Sequence, residues 1–198
     1  MKVFSLAVML FFTRSVIGAY SQETEISPID AKRIIEKRAI ETIEVIKNKD
    51  FKHLSRLTHQ DKGLIFSPYP YVTGHEKGLN KNKIAFISFK DTKIFQTVAQ
   101  DGSGDDVEYT FGKYYKTFIY PKDFANAPTI HFNEHVSTGN CGINLYDKFP
   151  GSIIVEYYFP GFVPKREGMD WQSLFLVFEK ADDSNWYLVD IAHDNWCI

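Results

Sequence analysis

Cysteine is scarce in this chain, with two in 198 residues, Cys141 and Cys197. Two thiols exclude a disulfide-dense scaffold and cannot by themselves make a zinc site. One pairing is available, tying the C-terminus to the middle of the chain, and two unrelated buried thiols are its alternative; both stay open. If formed, the link constrains a long loop and contributes on the order of 2–5 kcal/mol. Basic runs are also missing, so the footprint that nucleic acid or an anionic bilayer needs along the sequence is not there. No apolar run approaches the roughly 20 residues that span a bilayer, which argues against a transmembrane anchor. A serine nucleophile elbow, a P-loop and a dinucleotide glycine fingerprint are all absent, and nothing implies a cofactor. There is no internal repeat and no low-complexity linker, so one domain accounts for the chain.

Aromatic residues are abundant, at 16% with 17 Phe and 11 Tyr. So many rings imply a thick core or a lined cavity. The first residues read as a targeting segment. Lys2 is a positive n-region, Val3 to Phe12 is apolar, and Gly18, Ala19 and Ser21 offer a cleavage site. The expectation is a signal peptide over residues 1–20, a single domain over 21–198, and a secreted or periplasmic location. Removing Lys2 and Arg14 from the 23 basic residues leaves 21 against 25 acidic, a mature net charge of −4.

The mature chain opens on a helix signal. Ser27 suits the N-cap, Pro28 the first helical position, and Ile35, Ala39, Ile43 and Ile46 form one apolar stripe up to residue 48. Asp50 can cap a second helix carrying Phe51, Leu54 and Leu57. The texture then turns to strands, predicted over 64–67, 71–73, 84–89, 94–98 and 107–111, with a turn at 101–106. Residues 114–120 read as a short aromatic helix stopped by Pro121, and 121–152 as irregular. Ile153 to Phe159 is a strong strand, and 171–180 with 185–193 form a hairpin across a polar loop.

This order, carried by segments 27–59 and 171–194, resembles the NTF2-like (SnoaL-like) cone-shaped α+β families. Three stretches are similar to a group of uncharacterised exported bacterial proteins: His59–Gly63 with Phe66–Tyr69, Glu156–Gly161, and Met169–Leu174 running on to His193-Asp194. The resemblance implies N-terminal helices packed on a strongly curved, mainly antiparallel sheet that ends in a long hairpin. It implies no single activity, because the fold hosts isomerases, dehydratases, polyketide cyclases, transport factors and inert dimerisation domains.

The string His131-Phe132-Asn133-Glu134-His135 spells H-x-x-E-H, a zinc-peptidase pattern. That chemistry needs both imidazoles on one helical face, whereas Pro128, Gly139 and the β-formers between them favour a strand or loop. Alternation in the 153–159 strand sets Glu156 and Tyr158 on one face with Ile154. In the last strand it sets Tyr187, Val189, Ile191 and His193 against Trp186, Leu188, Asp190 and Ala192. Ionisable groups aimed into an apolar concavity would have shifted pKa values suited to acid–base work, which makes Glu156 and His193 the candidate bases and Asp190 a competitor. Tyr69, Tyr71, Tyr158 and Trp171, with Glu156 and His193, are candidate ligand-lining residues.

The expected function is a non-catalytic exported module that holds a small ligand or a cell-envelope partner in such a pocket. Two alternatives stand beside it. One is a small acid–base enzyme of isomerase, dehydratase or hydrolase type using Glu156 or His193, and the other is a structural homodimer.

Overall fold

The computed structural model describes residues 25–74, 76, 78–136 and 142–197. The expected leader over 1–20 lies outside them, as does Cys141, the candidate partner of Cys197. Ser27 accepts the amide of Asp30 at 3.2 Å and Pro28 takes the first turn, starting α1, Pro28–Lys47. Its stripe of Ala31, Ile35, Ala39, Ile43 and Ile46 is buried. Asp50 then caps α2, Phe51–Leu57, by accepting the His53 amide at 2.9 Å. No helix among the described residues is long and apolar enough to cross a membrane.

The main sheet has the order β1 (Ile65–Ser67), β7 (Trp186–Asn195), β6 (Gln172–Lys180), β5 (Ile153–Phe159) and β4 (Thr129–Phe132). Only β1 on β7 is parallel, so the class is mixed α+β with a mainly antiparallel sheet. A separate two-stranded sheet pairs β2 (Ile94–Ala99) with β3 (Asp106–Thr110).

Both faces of the main sheet are buried. One carries Val155, Tyr157, Leu174, Leu176 and Ile191 into the larger core. Against it pack α1, α2 and the aromatic segment formed by α4 (Phe111–Tyr114) and the π-helical turn Tyr115–Ile119. Phe111 meets Phe51, Phe66, Phe89 and Phe95 with ring centroids 5.0 to 6.1 Å apart, mostly edge to face, the geometry aromatic quadrupoles prefer. The hydroxyls of Tyr114 and Tyr115 donate to Phe66 O at 3.0 Å and Ile46 O at 2.7 Å, so these rings bury no unpaired polar atom. The space between helices and sheet is filled. The second face carries Ile154, Phe175, Val177, Val189 and Ala192, covered by Val72, Leu145, Tyr146 and Phe149.

Several expectations change. Residues 84–89 are not a strand: Asn80 accepts the Lys83 amide at 2.9 Å and caps α3, Lys81–Ala85. Residues 71–73 pair with no strand. Instead the Asn144 carboxamide accepts from Val72 N at 2.7 Å and donates to Val72 O at 2.9 Å, in the place of a ladder neighbour. The irregular stretch hides β4 and α5 (Leu145–Lys148). In β7 a bulge at Val189 breaks the alternation, since Val177 pairs with Asp190 but Phe178 with Leu188. Leu188 therefore joins Ile191 in the larger core, and Val189 joins Ala192 on the other face.

Because Phe111 packs against four other phenyl rings and Tyr115, Phe111→Ala is expected to cost about 3–5 kcal/mol, read as a lower urea midpoint at unchanged slope. A cost below about 1 kcal/mol would mean that the ring is not packed as described.

Candidate functional site

Glu156 lies in the middle of β5, on the second sheet face with Ile154 and Tyr158, and is fully buried. Its Oε1 accepts from Ser173 Oγ at 2.5 Å and its Oε2 from the Val136 amide at 3.3 Å. Across the sheet His131 stands opposite it on β4 and Phe175 on β6, while Ser173 stands opposite Asp194 on β7. The ring of His135 approaches that of Phe175 with centroids 6.1 Å apart. His131 Nδ1 lies 3.7 Å from Glu134 Oε2, and His131 Nε2 is buried without a partner. Tyr146, on α5, also buries a hydroxyl without a partner. Burial, then the charges of Glu156, Glu134 and Glu25, push that phenol well above its ordinary range. Trp171 is buried against Tyr158, ring centroids 6.2 Å apart, and its indole N–H has no partner.

The second face thus holds a polar seam of carboxylate, hydroxyls and imidazole beside residues 133–136 and 142–149. A carboxylate holding a serine hydroxyl at 2.5 Å is a base–nucleophile pair in outline. Both groups are fully enclosed, however, and no substrate atom reaches them in this arrangement. His131 lies within β4 and residues 133–136 are irregular, so H-x-x-E-H does not put its imidazoles on one helical face. Among the described residues no three His, Cys, Asp or Glu side chains are placed to hold a metal ion.

The six candidate lining residues do not form one site. Glu156, Tyr158 and Trp171 come together. His193 is on the opposite face, between Phe118 and Phe124 at 6.2 and 6.4 Å, with its Nδ1 buried and unpartnered. Burial lowers its pKa to about 4, so the imidazole is neutral near pH 7. Tyr69 uses its hydroxyl structurally, donating to Ala99 O at 3.1 Å and accepting the Asp101 amide at 3.2 Å. Tyr71 is 62% exposed. Two open hollows lie apart from these residues. One of about 310 Å³ lies between α1 and the 184–186 turn, and one of about 220 Å³ lies beside β1. Neither Glu156 nor His193 lines them.

Asp190 is the second buried acid on the Glu156 face. Both its oxygens lie 3.0 Å from Ser67 Oγ, which has one proton to share between them. Burial raises its pKa well above the ordinary value, against the lowering effect of Ser67 and the Ile191 amide. Strand alternation points to Glu156 but not to Ser173 and Asp194, which the cross-strand register lines up on its face, nor to Tyr146, which α5 brings near it.

Two opposite pH dependences follow. The depressed His193 makes the unfolded chain bind the extra proton, so stability is lost as pH falls from about 6.5 through about 4, by roughly 3 kcal/mol. The raised Asp190 makes the folded chain bind the extra proton, so its effect costs stability as pH rises above about 3.8. In urea titrations across pH, His193→Phe is expected to gain on the parent as pH falls through that window. Asp190→Asn gains as pH rises, and flat difference curves would contradict both burials. No protein family, curated protein or solved structure matches the chain, so no relative assigns a role to these side chains.

Proposed function

We propose that the chain is an exported, non-catalytic binding module that engages a cell-envelope component through its outer surface. One observation carries this reading: the interior where a ligand would sit is filled by its own rings, and the candidate bases are shut away on opposite faces of the sheet. Phe111, Tyr114, Tyr115 and Phe118 occupy the space between α1 and the sheet, and Glu156 and Ser173 are fully enclosed. Pockets that take small ligands are commonly ≈ 300–1,000 Å³ and enclose most of the ligand. The hollows beside α1 and β1 are at or below the small end of that range and open to solvent. Export is supported by the composition of residues 1–20 and is part of the proposal. So is the cone-shaped NTF2-like arrangement, supported by two helices leading into a mainly antiparallel sheet whose last two strands, β6 and β7, are its longest.

The Glu156–Ser173 pair favours the acid–base enzyme as a second reading, on condition that the described cover at residues 133–136 and 142–149 opens. The two readings separate in one comparison of the chain lacking residues 1–20, Glu156→Gln and His193→Phe. Retention on isolated envelope membranes is expected for all three at equal strength, with no turnover of chromogenic ester, phosphoester or glycoside substrates. Turnover that disappears in Glu156→Gln would establish the enzyme instead.

A further inference from the structure

The loop from Pro160 to Asp170 shows apolar side chains to solvent on a backbone in which the amides of Phe162, Val163, Arg166, Glu167 and Met169 are bonded within the loop. Phe162, Val163 and Met169 are 37, 39 and 47% exposed. The Asp170 carboxylate accepts the amides of Phe162 at 3.1 Å and Val163 at 3.0 Å, one on each oxygen. The amides of Arg166, Glu167 and Met169 bond to Val163, Pro164 and Arg166 carbonyls at 2.8 to 3.1 Å. Pro160 and Pro164 have no amide to satisfy. Gly161, at φ 138°, has no room for a side chain, since a Cβ there would stand 3.1 Å from both Asp170 Oδ1 and Gly168 Cα. The loop is therefore a built turn that presents Phe162 and Val163.

Cations collect around these residues. Lys165 and Arg166 follow them in sequence, and Lys122 arrives from a distant segment with Nζ 4.1 Å from the centre of the Phe162 ring. Glu167 and Asp123 are the exposed acids beside them in sequence, Asp123 already paired with Lys47 at 3.0 Å, while the Asp170 carboxylate is taken up by the two amides. In a chain with more acids than bases, three cations around an apolar loop run against the overall charge.

We propose that this loop is a docking site for an anionic lipid surface, with Phe162, Val163 and Met169 entering the interface and Lys122, Lys165 and Arg166 lying at the level of the phosphates. The inference rests on the reading of the chain as an envelope-binding module and names its partner. Two features select lipid over protein. Backbone entering a water-poor interface must have its polar groups already satisfied, and the Asp170 clamp does that for the two leading amides. A peptide partner adding along the loop would instead need those amides unpaired. Aromatic and aliphatic side chains beside basic ones are also the composition of interfacial anchors, the cations adding attraction to anionic headgroups.

The test is sedimentation of the chain lacking residues 1–20 with vesicles of phosphatidylcholine, with and without phosphatidylglycerol, at low and high salt. Binding is expected on the phosphatidylglycerol vesicles and weakens as salt rises. Phe162→Ser with Val163→Ser is expected to abolish it, and Lys165→Gln with Arg166→Gln to weaken it about thirtyfold. Unchanged melting temperatures in both double variants exclude unfolding as the cause. No binding to either vesicle, with retention on envelope membranes still lost in the Phe162/Val163 variant, would overturn lipid in favour of a protein partner and leave the module reading standing. Loss of retention on envelope membranes by the parent chain would overturn the module reading itself.

Discussion

Burial of the main sheet on both faces is the constraint from which the rest of the structure follows. An antiparallel sheet commonly leaves one face to water, and its polar residues go there at no cost. In this chain both faces are covered, by α1, α2 and the aromatic segment on one side and by residues 70–74 and 142–149 on the other. Every polar side chain on β5, β6 and β7 that falls within the covered area must then find a partner inside the protein. Glu156 takes Ser173 and the Val136 amide, and Asp190 takes Ser67. Where partners run out, burial works against the charged form: it keeps His193 neutral between phenyl rings and pushes Asp190 above the ordinary carboxyl range despite Ser67 and the Ile191 amide.

The same constraint separates the chemistry into pieces that do not add up to a catalytic set. Glu156 and His193 attract attention because they are ionisable residues on strong strands, yet the pleat sends them to opposite sides of the sheet. The Glu156 seam contains plausible reacting groups in close contact, but its contacts fasten the covering loop to the sheet through the Val136 amide. A carboxylate with its acceptor sites occupied by protein donors is well suited to holding a loop and poorly placed to accept a substrate proton. Surface features then become the part of the molecule with freedom to act, the clamped loop at Pro160–Asp170 foremost among them.

Much of the architecture was legible in the sequence because it rests on local signals. Ser27 and Pro28 start α1, Asp50 starts α2, and the alternation Ile154, Glu156, Tyr158 assigns the faces of β5 correctly. The failures are non-local. One extra residue at Val189 reverses the parity of β7 upstream of Asp190, and nothing in the sequence marks it. The segment at 84–89 has apolar residues suited to a strand, but the Asn80 cap makes a helical turn and no neighbouring strand is present to compete. Strand β4 is four residues long and exists because β5 offers an edge. The partners of Glu156, and the arrival of Lys122 at the Phe162 ring, depend on register and packing that residue order does not encode locally.

In the native protein the second face is closed and stays closed. The rate at which a thiol reagent labels Ser173→Cys tests this, with the parent chain as the control for Cys141 and Cys197. This thiol is expected to react only at the rate of global unfolding, slowed wherever the protein is stabilised. Labelling that is fast and independent of denaturant would mean that the cover at residues 133–136 and 142–149 opens on its own. The Glu156 seam would then be reachable from solvent, contradicting the closed scaffold described here.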